Sequence, residues 1–273
     1  TVAGNAQTIT GGTITAGAND LIINQWATTG TLSINSVIAG SGGLTKAGTT
    51  TAANGIAVIG GNAAGALGST NNTFSGGVFL DAGTLQVNVS AATNGNTATT
   101  TTGALGGTQN AINIYGASTA NNATVLSIKA DNSTGSSTPG SIALSNNVTV
   151  NGAFTAINVG SLGGGGGTVG SGLFLAPVNQ TVQLGTLSFV NDGNTLTVTP
   201  SNGYGLEFTG TTTFNKNFTT VNVGTATASN VVQGLTLSGQ VTGTAPGGVA
   251  FTKTGAGTLV LNSASNDFVG SIV

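Results

Sequence analysis

Apolar and polar residues alternate in short stretches along the whole chain. Thr8-Ile9-Thr10, Thr13-Ile14-Thr15, Thr31-Leu32-Ser33-Ile34-Asn35 and Thr84-Leu85-Gln86-Val87-Asn88-Val89 open the series. Ala111-Ile112-Asn113-Ile114-Tyr115, Val125-Leu126-Ser127-Ile128, Val148-Thr149-Val150 and Thr195-Leu196-Thr197-Val198-Thr199 continue it. Thr220-Val221-Asn222-Val223, Leu235-Thr236-Leu237 and Thr258-Leu259-Val260-Leu261 close it. A period of two places one side chain inward and the next outward, so each stretch predicts a strand with one buried face. Clusters of Gly, Asn, Asp and Ser separate the stretches and supply the turns. No stretch keeps an apolar period of 3.6, and abundant Gly and β-branched residues also disfavour helix.

Many short strands suit a sandwich, a barrel or a β-solenoid. The strands are short for a sandwich, they recur without a boundary, and small residues dominate. These points favour a solenoid, whose coils stack about 4.8 Å apart and whose like residues form ladders. The reading is one all-β domain over 1–273. At roughly 20–25 residues per coil it would hold about a dozen coils, a rod on the order of 50–60 Å long.

The chain is also self-similar. Gly42-Gly43-Leu44-Thr45-Lys46-Ala47-Gly48, then Asn72-Thr73-Phe74-Ser75-Gly76-Gly77-Val78, returns as Gly248–Gly257 followed by Asn266-Asp267-Phe268-Val269-Gly270. Gly65-Ala66-Leu67-Gly68 returns as Gly103-Ala104-Leu105-Gly106. The first copy runs on through Phe79–Val87, whereas the second stops at Val273, which reads as a unit that once continued or a strand awaiting a neighbour. The opening Thr1, with no charged and apolar leader after it, reads as a processed or excised piece.

This order of motifs resembles the passenger-associated repeat of bacterial autotransporters. The resemblance implies a right-handed parallel β-helix, exported and displayed on the cell surface, with no common catalytic residues to carry over. Two departures stand out: no membrane barrel follows, and the segment 51–71 is longer than its counterpart in the second copy.

Composition narrows the function. The 273 residues include no His, Cys, Met or Arg, and 47 are Gly. Near neutral pH most enzymes need titratable or nucleophilic groups, and this chain has few. Lys46, Lys129, Lys216 and Lys253 face Asp20, Asp81, Asp131, Asp192, Glu207 and Asp267, all scattered singly, for a net charge of −2. Nucleic acid and anionic membranes are bound through clustered Lys and Arg, so neither is an expected partner. Apolar stretches such as Leu173–Val178 fall far short of a spanning helix of roughly 20 residues. Absence of Cys fits passage through an oxidising compartment.

The candidate chemistry is thin. A glycosidase needs two carboxyl groups about 5–10 Å apart; Asp81 and Asp192 instead read as turn residues, each close before a Gly. Zinc lacks its His and Cys ligands. The Gly163–Gly167 run lacks the Asp of calcium-binding repeats and the Lys-Ser/Thr of a phosphate loop, and so reads as a loop. Lys46 and Lys253 are expected on solvent faces of strands, where Lys discourages edge pairing. Trp26, Tyr115 and Tyr204 are candidate carbohydrate-stacking platforms, while Phe74, Phe79, Phe174, Phe208, Phe214 and Phe268 read as core. The Thr-x-Thr stretches are too unevenly spaced for an ice-binding array, and the sequons at Asn71 and Asn179 are expected by chance in so Asn- and Thr-rich a chain.

The expected protein is therefore extracellular or displayed on the bacterial surface, non-enzymatic, and without cofactor or metal. Its partners would be copies of itself, in a fibre or layer, or a host or glycan surface. The alternative is a polysaccharide lyase or hydrolase on a β-helix; an ice-binding module is the third reading.

Overall fold

The alternating stretches form strands and pair in parallel. The computed structural model describes residues 6–26, 30–48, 56–59, 72–91, 99–100, 103–116, 123–132, 140–161, 180–201, 203–225 and 234–273. Among these residues there is no helix. Ten strands, from Gln7–Ile9 to Val269–Ile272, make one sheet; eight make a second, six a third and two a short fourth. From Thr84 to Leu261 the chain visits the three long sheets in a fixed rotation: ten-stranded, six-stranded, eight-stranded, and round again. The short sheet, formed by Thr13–Thr15 and Val37–Ala39, takes the place of the six-stranded one near the start. The architecture is a three-sided parallel β-solenoid.

In-register pairing converts the inward positions of each strand into apolar rows. One row of the ten-stranded sheet is Leu32, Ala57, Leu85, Leu126, Ile157, Val198 and Val223. The six-stranded sheet adds Ile142, Val182, Leu206, Leu235 and Leu259. The eight-stranded sheet adds Leu44, Val78, Ile112, Val148, Leu187, Thr212 and Val241. Most of these side chains are fully buried, and burial of a Leu, Ile or Val contributes roughly 1.5–3 kcal/mol. Phe189 stacks on Phe214 at 5.2 Å and Phe214 on Phe251 at 4.4 Å, continuing the core to Phe268 at 6.4 Å from Phe251. Phe74 and Phe208 are buried as expected, Phe79 is half-buried, and Phe174 lies outside the described residues.

The coils are longer and fewer than their expected 20–25 residues and dozen. Gln7 pairs with Leu32 and Thr195 with Thr220, offsets of 25 residues, but Thr84 pairs with Val125 and Phe154 with Thr195, offsets of 41. Extra residues between strands consume chain without adding a coil. Ten strands at about 4.8 Å span roughly 43 Å.

Candidate functional site

The repeated motif docks each copy onto the preceding coil by the same hydrogen bonds. Asn72 Oδ1 accepts from Ile38 N at 2.9 Å, Thr73 N donates to Ile38 O at 2.8 Å, and Ser75 N donates to Gly40 O at 3.1 Å. In the second copy Asn266 Oδ1 accepts from Val241 N, Asp267 N donates to Val241 O, and Val269 N donates to Gly243 O. Each arrangement ends on a glycine of positive φ, +139° at Gly40 and +126° at Gly243. A Cβ at Gly243 would strike the Phe214 carbonyl oxygen, so the position needs glycine for space as well as conformation. Buried Asn72 also donates through Nδ2 to Ala104 O at 2.8 Å, tying on the next coil. Ala104 belongs to the Gly103–Gly106 echo of the motif; Gly65–Gly68 lies outside the described residues.

Below this docking the interior carries a stack of amides. Asn110 Nδ2 donates to Phe74 O and Leu105 O, and Asn146 Nδ2 donates to Gly107 O and Asn110 O, at 2.7–2.9 Å. Both asparagines are buried. They satisfy turn carbonyls that would otherwise lose water on burial, which costs about 1–3 kcal/mol each.

Lys46 overturns the expected solvent-facing position. Its side chain is 0 % exposed and occupies an inward row with Ile23, Leu80, Ile114, Val150 and Phe189. Period two explains this: Leu44 and Lys46 share a face, and Thr45 points the other way. The ammonium donates to Ala47 O at 2.8 Å and Ala82 O at 3.2 Å. Removal from water lowers its pKa from 10.5 to about 8. Lys253 pairs opposite buried Val221, is half-buried rather than solvent-facing, and donates to Gly255 O at 2.7 Å. Burial lowers the Lys129 pKa as well.

The carboxylates do not act together. Asp20 Oδ1 accepts from Gly43 N, Asp192 accepts from Asn217 N, and Glu207 accepts from Gln183 Nε2 and Ser238 Oγ. Asp192 sits in a turn, as expected, while Asp81 lies in the short link between the strands Val78–Leu80 and Thr84–Ala91. Among the described residues no three acidic side chains cluster as metal ligands would. Gly163–Gly167, Asn71 and Asn179 lie outside the described residues, as does the Asp131 side chain. Of the candidate stacking aromatics, Trp26 and Tyr115 are exposed, whereas Tyr204 is buried and donates to Ala130 O at 2.8 Å. The buried amide stack was not anticipated from the sequence.

The family model of the passenger-associated-transport-repeat matches residues 66–87 and 251–273. No curated protein and no solved structure matches the chain. Both family matches include the docking asparagine, and both fall on stacked parallel coils. Two passenger-associated-transport repeats on a parallel β-solenoid make this chain consistent with an autotransporter passenger-domain repeat protein.

Proposed function

We propose that the protein is a non-enzymatic, surface-displayed solenoid that works by adhesive contact. The observation that carries this reading is the division of labour across each strand. Inward positions hold the stack together, and outward positions present hydroxyl, amide and aromatic groups with little charge. Asp20, Asp192 and Glu207 each accept from separate neighbours, which supports contact rather than turnover. The family's name, passenger-associated-transport-repeat, fits export to the surface.

The test has two arms. Protease added to intact cells that express the whole protein should cleave it, and purified chain should leave a panel of polysaccharides undegraded. Depolymerisation that disappears on replacing Asp20, Asp192 or Glu207 would establish the β-helix enzyme instead. Full protection in intact cells that ends on lysis would remove surface display.

A further inference from the structure

Exposed aromatic residues gather along one corner of the solenoid, where the chain leaves the eight-stranded sheet for the ten-stranded one. Trp26 follows the strand Leu21–Gln25, Tyr115 follows Ile112–Ile114, and Phe218 lies in the turn after Thr212–Thr213. They are 63 %, 41 % and 78 % exposed, and Val190, which follows Leu187–Phe189, is 42 % exposed. Seven of the sheet's strands, from Leu21–Gln25 to Thr212–Thr213, lie in the span. Six steps of about 4.8 Å make a row roughly 29 Å long.

The middle of the row is in register. Leu80, Ile114, Val150 and Phe189 are paired across successive strands. Their next residues, Asp81, Tyr115, Asn151 and Val190, continue the ladder: Tyr115 N donates to Leu80 O, Asn151 N to Ile114 O and Val190 N to Val150 O, at 2.8–3.0 Å. On these four coils one residue each continues the ladder, whereas Trp26 lies two residues beyond Asn24 and Phe218 three beyond Asn215, the aligned positions of their own coils. The far end is braced as well. Asp192 accepts from Asn217 N at 2.9 Å, and Asn217 Oδ1 accepts from Gly247 N at 2.5 Å. Within this braced turn Phe218 holds φ +57°, a conformation that bulky residues rarely adopt and that tends to accompany function. Among the described residues nothing hydrogen-bonds the Trp26 indole N–H, the Tyr115 hydroxyl or the Asp81 carboxylate.

We propose that this corner row binds an extended, uncharged polysaccharide. The proposal rests on the contact reading above and names its ligand class. Flat aromatic faces stack on the apolar face of a sugar ring, while the free polar tips and Asp81 meet its hydroxyls. The coil of Tyr115 stands three strands from that of Trp26 and three from that of Phe218, about 14 Å each way, a distance that roughly three hexose units of an extended chain span. The chain has no Arg to clamp sulfate or phosphate, and the row mixes Asp81 and Asp192 with Lys216, so charge does not select the ligand. A ridge buries less of each sugar than a cleft does. Binding is therefore weak per unit and grows with the number of coils engaged.

Trp26 is the only tryptophan in the chain, so its fluorescence reports directly on the row. Cellohexaose, laminarihexaose, mannohexaose and chitohexaose are titrated to millimolar concentration, with heparin as a polyanion control. At least one uncharged hexamer should shift the Trp26 emission to the blue, and its dimer should bind more weakly. Tyr115→Ala should weaken the response about tenfold with circular dichroism unchanged, because the ring is exposed. No response to any uncharged oligosaccharide, an undiminished response in Tyr115→Ala, or a response to heparin alone overturns the proposal. So does an emission shift that follows protein concentration without sugar, which would assign the row to contact between copies. None of these results touches surface display, whereas cleavage of the oligosaccharide would overturn the non-enzymatic reading itself.

Discussion

Replacing Lys46 by methionine removes a charge from the interior of the stack while keeping most of the length of the side chain. Burial sets the folded pKa at about 8, against 10.5 for the free group. At 1.36 kcal/mol per unit, the difference is worth up to roughly 3 kcal/mol. Its sign follows from proton counting. Below pH 8 both folded and unfolded chains hold the proton, and the cost of the buried ammonium weighs fully on the fold. Between about 8 and 10.5 the folded chain gives up its proton first. The unfolded state then binds more protons, and stability rises with pH. The variant has nothing to titrate at this position. Its lost hydrogen bonds to Ala47 O and Ala82 O shift its stability equally at every pH. Urea unfolding of both proteins at neutral pH and near pH 10, followed by circular dichroism, isolates the effect, because other titrating groups cancel in the difference. Wild-type stability should gain on the variant by up to roughly 3 kcal/mol across the window. A difference that stays constant from neutral pH to pH 10 would refute the buried, depressed lysine.

Four further substitutions probe the packing by the same unfolding measurement. Asn72→Ala leaves Ile38 N and Ala104 O without partners, and should cost about 1–3 kcal/mol for each. Gly243→Ala must displace the Phe214 carbonyl and should be severely destabilising, whereas Gly193→Ala, at φ +74° with open space around it, should cost only about 1–2 kcal/mol. Thr212→Val should stabilise the protein by about 1–3 kcal/mol, because the buried Thr212 hydroxyl has no partner and its row is otherwise aliphatic.

Local structure was legible in the sequence where the side-chain period alone decides it. Leu85, Val87 and Val89 face inward because they alternate with Gln86 and Asn88, and the strand Thr84–Ala91 follows. The same parity places Lys46 with Leu44. Charge argued for the solvent face, but strand geometry prevailed because two carbonyls lie within reach of the ammonium. Stacking order was less legible. Leu80 meets Ile114, Ile114 meets Val150 and Val150 meets Phe189 at successive offsets of 34, 36 and 39 residues, and no fixed repeat length yields that series. The corner row of Trp26, Tyr115 and Phe218 depends on those offsets and stayed hidden for the same reason. The docking asparagines were visible as repeated letters, but their bonds to Ile38 and Val241 appear only once the coils are stacked.

Cysteine cross-linking tests the parallel, in-register stack most directly, since the chain has no cysteine of its own. Thr195 pairs with Thr220 and Thr197 with Asn222. Partners about 4.8 Å apart lie within disulfide reach, and diagonal neighbours beyond about 7 Å do not. Three double variants are compared under mild oxidation: Thr195→Cys with Thr220→Cys, Thr197→Cys with Asn222→Cys, and Thr195→Cys with Asn222→Cys. The account predicts that the first two close a disulfide and the third does not. Closure of the third with failure of the other two would show antiparallel or shifted strands and contradict the solenoid.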